Sequence, residues 1–197
     1  MSQPGGSGLR PRLVIMGRQG AGKGTQCAFL EKHYEIQHLS TGDVLRGAVA
    51  EGTELGVKAK AIMDSGGLVD DDLMRDLVAD RIADAEESEG YLLDGYPRTP
   101  AQADALLEMA GPRGIDACIN LDVPLDEVRT RMMARGRDDD TPDAIDRRLE
   151  LYEQETAPLL SWFEEKNLLL TVDGLGDVNE IASRLSDSLD AFMAAKS

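Results

Sequence analysis

The sequence predicts an α/β protein in which a parallel β-sheet is buried between helices on both faces. Three observations carry that prediction. Short, continuous apolar runs recur along the chain, longer segments of helical periodicity separate them, and a glycine-rich loop joins the first run to the first helical segment. Continuous rather than alternating apolarity marks strands covered on both faces, as a parallel sheet requires. A chain of 197 residues, 42% hydrophobic and 29% charged, fits one globular domain, and no apolar run approaches the roughly 20 residues needed to cross a bilayer.

In chain order, the first strand is expected at 12–16 (RLVIM), with a short one at 36–39 and others at 91–94, 117–121 and 168–172, each bounded by Gly, Pro, Asp or other turn formers. Helices are expected at 22–33, 43–50, 54–65, 71–86, 100–110, 124–135, 142–165 and 177–194. Pro124 and Pro142 suit first-turn positions, and Thr141 suits an N-cap. The helical pair at 43–65 interrupts the strand–helix rhythm and reads as an inserted lobe. There is no internal repeat and no linker long enough to divide the chain. Residues 1–10 read as a loose tail; their composition is not that of a secretory signal, which points to the cytoplasm.

Charge narrows the function. With 37 acids against 21 bases the chain carries a formal charge of -16, which repels nucleic acid and anionic membrane alike. An anionic ligand must be held by a local cluster of bases. Two cysteines, Cys27 and Cys118, show neither CxxC nor metal-ligand spacing, so they read as buried hydrophobes in a reducing compartment.

The strand at 12–16 runs into Gly17-Arg18-Gln19-Gly20-Ala21-Gly22-Lys23-Gly24-Thr25 and then into a helix. Glycines let backbone N–H groups face an anion, and the helix points its positive end at the same spot. This is a phosphate-binding P-loop, with Lys23 as a point charge for the outer phosphates. The generic P-loop has Ser or Thr directly after the lysine; here Gly24 intervenes and Thr25 follows. That spacing argues against a P-loop motor or GTPase.

The GKGT variant resembles the nucleoside monophosphate kinases, and three further segments strengthen the likeness: Ser40-Thr41-Gly42-Asp43 with Arg46; Asp94-Gly95-Tyr96-Pro97-Arg98-Thr99 with Gln102; and Arg135-Gly136-Arg137-Asp138-Asp139-Asp140 with Arg148. The correspondence runs from about residue 13 to 189, and within that group the adenylate kinases with a short lid are most similar. The resemblance implies a P-loop NTPase-type core, a nucleoside monophosphate-binding insertion at 40–69 and a lid at 135–141. It implies reversible transfer of a phosphoryl group from ATP to AMP, giving two ADP, by a monomer acting on small molecules, with no nucleic-acid or membrane partner.

The resemblance also assigns residues. Gly20, Ala21, Gly22, Lys23, Gly24, Thr25, Arg135 and Gly176 would bind ATP, Gly174 competing with Gly176. Thr41, Arg46, Met63, Gly67, Leu68, Val69, Gly95, Tyr96, Pro97, Arg98, Gln102, Arg137 and Arg148 would bind AMP. Lys23, Arg98, Arg135, Arg137 and Arg148 would carry the transfer, with Asp139 and Asp140 orienting the arginines. Thr25, and Asp94 through water, would meet magnesium. These roles suit the chemistry: phosphoryl transfer needs two polyanions aligned and their charge offset, and guanidinium forks do both. Six of the fifteen arginines fall between Arg129 and Arg148; the competing reading of that segment is a solvated face balanced by five aspartates.

Pyrimidine monophosphate kinases are the rival within the group, where Ala and Asn typically replace Thr41 and Thr99. A nucleotide-binding module without turnover is the rival outside it. Three departures from the family pattern stand out. Gln19 replaces the usual proline, predicting a more mobile loop, and Arg18 predicts an added cation near the phosphates. Gly67 stands where a lysine is common. Only Gly136 separates Arg135 from Arg137, leaving no room for a long lid with four metal ligands, so no structural zinc is expected.

Overall fold

The computed structural model describes residues 10–86, 90–137 and 140–196, apart from the side chains of residues 84 and 86. Five strands, β1 (Arg12–Met16), β2 (Gln37–Ser40), β3 (Tyr91–Asp94), β4 (Ala117–Asp122) and β5 (Leu169–Asp173), form one all-parallel sheet in the order β2-β3-β1-β4-β5. Around it lie α1 (Lys23–Tyr34), α2 (Thr41–Glu51), α3 (Glu54–Asp64), α4 (Asp71–Glu86), α5 (Pro100–Ala110), α6 (Leu125–Arg135), α7 (Pro142–Leu151), α8 (Pro158–Glu165) and α9 (Val178–Ala194). Among the described residues no helix is long and apolar enough to cross a membrane.

The central strands are dominated by apolar residues because both faces are covered. Leu13 and Ile15 face one core with Cys27 and Leu30 of α1, Met132 of α6 and Leu185 of α9. Val14 and Met16 face the other with Val78 of α4, Leu106 of α5 and Phe163 of α8. Removing one such side chain, as in Leu13→Ala, costs about 2–5 kcal/mol in transfer and cavity terms.

Strand ends, not strand middles, position the site. The connection after β1 leads toward the β2 edge and that after β4 toward the β5 edge, so a crevice opens between them at the carboxyl end of the sheet, where α/β proteins bind ligands. Side-chain caps fix the helices that start there. Ser40 Oγ accepts from Asp43 N for α2, Thr99 Oγ1 from Gln102 N for α5, and Thr141 Oγ1 from Ala144 N for α7. Helices α2 and α3 pack closely because Gly56 has no Cβ; one would lie 2.0 Å from the Ala48 carbonyl oxygen.

Three expected elements differ. The helix at 43–50 begins two residues earlier, because Ser40 caps it directly at the end of β2. Pro124 takes the N-cap position of α6 rather than its first turn, its carbonyl accepting from Val128 N. The single helix expected at 142–165 is interrupted by a π-helical segment, Tyr152–Thr156, between α7 and α8. Pro158 has no N–H to continue the ladder, and Ala157 N bonds back five residues to Tyr152 O at 2.7 Å. The tail expected at 1–10 lies outside the described residues except for Arg10, which pairs with Glu35.

Candidate active site

The phosphate loop follows β1 directly. Gly17, Gly20 and Gly22 have positive φ, and a Cβ on Gly17 would sit 2.6 Å from Leu121 O, so glycine is required there by both backbone and space. Gly22 occupies the N-cap of α1, whose first turn holds no acidic residue to neutralise its positive end. Lys23 Nζ donates to Gly17 O and Arg18 O at 2.8 and 3.1 Å. Burial lowers its pKa, and Asp94 partly offsets that. Thr25 is exposed on the first turn of α1.

Asp94, at the end of β3, lies beside this lysine. Burial pushes its carboxyl up, but His38, Lys23 and Arg98 together hold it below the usual carboxylate value. Its backbone carbonyl accepts from Thr41 Oγ1, tying the start of α2 to the end of β3.

Two adjoining clefts open at this edge and share Gln19, Leu68, Arg98 and Arg148. The first also reaches Lys23, Gly95, Tyr96 and Pro97. The second is bordered by Thr41, Arg46, Met63, Gly67, Val69 and Gln102, and by Arg135 and Arg137. Most residues read as binding AMP therefore border the second cleft, although they come from five separate segments, while Gly95, Tyr96 and Pro97 border the first. Gly176 is exposed with positive φ, whereas Gly174 is buried against Val123 and Leu121 and serves packing.

Charge in the clefts is organised by a few carboxylates. Asp140 accepts from Arg135 Nε and Nη2 at 2.5 and 2.8 Å and from Arg148 Nη1 at 3.0 Å; its side chain is 1% exposed. Burial pushes this carboxyl up, yet the guanidiniums of Arg135 and Arg148 and the Arg137 N–H bring it below its ordinary value. Arg148 also donates to Met63 O at 2.9 Å, joining α7 to α3. Arg46 pairs with Asp43 within α2. Asp139 lies outside the described residues.

Gln102 is held in one orientation. Its Oε1 accepts from Arg98 N at 2.8 Å and its Nε2 donates to Asp71 Oδ1 at 2.7 Å, while Thr99 Oγ1 donates to the other Asp71 oxygen. Asp71 was not read from the sequence as a site residue; its distance of 31 positions from Gln102 hides the contact. Gln19, which borders both clefts, was read only as a missing proline.

Arg18 corrects an expectation. Its guanidinium is not among the groups bordering the clefts but turns away, donating to Glu153 Oε1 at 2.7 Å and Val123 O at 3.2 Å, with Asp122 at 3.6 Å and the Tyr152 ring beneath it. It tethers the loop from behind instead of adding charge in front, because two acids and an aromatic face compete for it there. Similarly, Arg131 supports Ala21 O from α6 and Arg129 pairs with Asp146, so part of the arginine-rich segment serves packing.

Comparison with known proteins supplies the family. The family model described as adenylate kinase matches residues 15–168. The chain belongs to the adenylate kinase family. It is 46% identical over 185 residues to the adenylate kinase of Bifidobacterium longum (strain NCC 2705), covering 91% of this chain and 100% of that one. It is 42% identical over 184 residues to the adenylate kinase of Xanthomonas euvesicatoria pv. vesicatoria (strain 85-10), covering 90% and 98%. It is 44% identical over 181 residues to adenylate kinase 1 of Nostoc sp. (strain PCC 7120 / SAG 25.82 / UTEX 2576), covering 90% and 98%. The chain is thus a nucleoside monophosphate kinase, an enzyme that passes the terminal phosphoryl group of ATP to AMP and yields two ADP.

Proposed function

We propose that the phosphate loop and the first cleft take the phosphates of ATP, that the second cleft takes AMP, and that Arg98 and Arg148, common to both, bracket the phosphoryl group in transit. The observation that carries this reading is the meeting of Lys23, Arg98 and Arg148 in one cleft whose neighbour is rimmed by Arg46, Arg135 and Arg137. Held between them, two polyanions can be brought in line while developing charge on the equatorial oxygens is offset. No general base is required, because the attacking AMP oxygen is already ionised at neutral pH.

The remaining assignments follow from placement. Thr41, Met63, Gly67, Leu68, Val69 and Gln102 form the acceptor-base slot, and Gly95, Tyr96 and Pro97, which border the first cleft, meet the AMP phosphate where the two clefts adjoin. The fixed amide of Gln102 presents its remaining N–H to a purine acceptor atom. Gly20, Ala21, Gly22, Gly24 and Thr25 surround the ATP phosphates, and Gly176 lies at its adenine. Asp140 holds Arg135, Arg137 and Arg148 in reach, and Asp139 would share that role.

Magnesium suits the donors present: a carboxylate held ionised at the end of β3 and the Thr25 hydroxyl are hard oxygen groups at the same edge. Bound there, the ion would offset phosphate charge, with Thr25 near it and Asp94 reaching it through water. Residues 40–69 form the acceptor lobe and 135–141 a short lid without structural zinc, and their closure keeps water from the transferring group. The enzyme acts as a cytoplasmic monomer that balances adenine nucleotides, with no nucleic acid or membrane partner.

A coupled assay tests the reading. Magnesium-dependent ADP formation from ATP plus AMP, faster than with CMP or UMP, is expected, together with tight binding of diadenosine pentaphosphate. Lys23→Met should fold normally yet lose at least about two orders of magnitude in kcat. Equal rates with all three acceptors, or an unaffected Lys23→Met enzyme, would overturn the assignments.

A further inference from the structure

Three side chains behind the phosphate loop form a cluster that the reaction does not use as a unit. Cys27 Sγ on α1, a ring nitrogen of His38 on β2 and a carboxylate oxygen of Asp94 on β3 all lie within 4.8 Å of one another. His38 Nε2 is buried and makes no hydrogen bond; it lies 3.6 Å from Asp94 Oδ2, too far for one. A buried imidazole nitrogen without a hydrogen bond, close to a carboxylate and in one cluster with a thiol, is poised for a ligand that can accept electron pairs from all three.

We propose that Cys27, His38 and Asp94 constitute a binding site for a thiophilic divalent cation of the zinc class, a different ion from the magnesium of the reaction but sharing Asp94 with it. The donor set selects for such an ion. Thiolate and imidazole favour zinc or cadmium, whereas magnesium demands octahedral oxygen ligands. Size agrees as well. With metal–ligand bonds of about 2.0–2.3 Å, donors on a tetrahedral centre stand roughly 3.4–3.6 Å apart. The His38–Asp94 separation of 3.6 Å already meets that spacing, and the sulfur, within 4.8 Å of the other donors, needs a shift of at most about 1.4 Å.

Three protein ligands leave one position for water, which is the pattern of an exchangeable site and not of a closed structural one. Cys27 is fully buried, while the side chains of His38 and Asp94 are 16% and 15% exposed and provide the way in. On binding, the thiol proton leaves to solvent as the metal–sulfur bond forms. Occupation removes the Asp94 carboxylate from the nucleotide side and sets a dication beside Lys23, so the site is inhibitory. That consequence rests on the role proposed for Asp94; the binding itself rests on the cluster alone.

The test begins with nucleotide-free enzyme titrated with cadmium, reading the ultraviolet thiolate-to-cadmium band, and with zinc by calorimetry. One equivalent with the band is expected, and both Cys27→Ala and His38→Gln should weaken zinc binding by at least about tenfold. Absence of the band in the unmodified enzyme, or undiminished zinc affinity in a folded Cys27→Ala, would overturn the site. The rate is then followed with excess magnesium and added zinc. Inhibition reversed by a zinc-selective chelator and absent in Cys27→Ala supports the whole proposal. A band without inhibition keeps the site and refutes the role given to Asp94.

Discussion

Asp140→Asn should destabilise the enzyme by about 3 kcal/mol, and the figure follows from three contacts. The carboxylate takes two bonds from Arg135 and one from Arg148. An amide keeps one oxygen and turns an N–H₂ either toward Arg135 Nη2 and Arg148 Nη1 or toward Arg135 Nε and Arg137 N, so two former bonds become donor–donor contacts. Breaking one side of a buried ion pair costs about 3–5 kcal/mol. The lower end applies because Arg135 is 27% exposed and can turn to water, and Arg148 retains Met63 O. For a domain of this size the loss corresponds to a fall in Tm of about 6–12 °C. Thermal melts of Asp140→Asn, Arg148→Met and the double variant would give a coupling energy of about 2 kcal/mol. Acid supplies a second reading. Since the native Asp140 pKa is depressed, its contribution is complete above the unfolded value of about 3.9 and is lost as pH falls through the lower native one, so the two melting curves should converge there. A Tm change within about 2 °C, with coupling near zero, would mean that the carboxylate belongs to a solvated face and that the reasoning is wrong.

Two further outcomes separate fold from function. Gly17→Ala should cost more than about 2 kcal/mol in urea unfolding, from positive φ and the 2.6 Å approach to Leu121 O, whereas Gly24→Ala meets nothing within 4 Å and should hold or raise stability by up to about 1 kcal/mol while increasing KM for ATP. Tyr34 donates to Asp190 Oδ1 at 2.8 Å, and burial with that bond raises its pKa from 10.0. The folded state therefore keeps the proton after the unfolded chain has lost it, and stability should fall above pH 10 by up to about 1.4 kcal/mol per pH unit, a slope that Tyr34→Phe removes.

What the sequence made legible was local or repeated. β1 is apolar throughout from Leu13 to Met16 because it is flanked by strands and covered on both faces, and the glycines, Lys23 and Thr25 lie within nine residues of one another. The break at Tyr152–Thr156 was hidden, since the apolar spacing continues through it and only Pro158 signals a change. The direction of Arg18 was illegible for another reason. Its partners Glu153 and Asp122 stand more than 100 positions away, so proximity in sequence to the phosphates was the only guide, and it misled. A separation of 31 positions likewise hides the grip of Asp71 on Gln102, and the cluster of Cys27 with His38 and Asp94 needs three elements brought together by the sheet.

The tether on Arg18 gives the phosphate cradle a property that a pyrrolidine ring cannot supply. A ring is stiff in any medium, but a hold made of opposite charges, one quarter open to solvent, slackens as dissolved ions crowd around it. The cradle of this enzyme should therefore respond to brine, firmer in dilute buffer and looser in concentrated salt, with the suppleness of the nucleotide grip set by the surroundings and not by covalent shape.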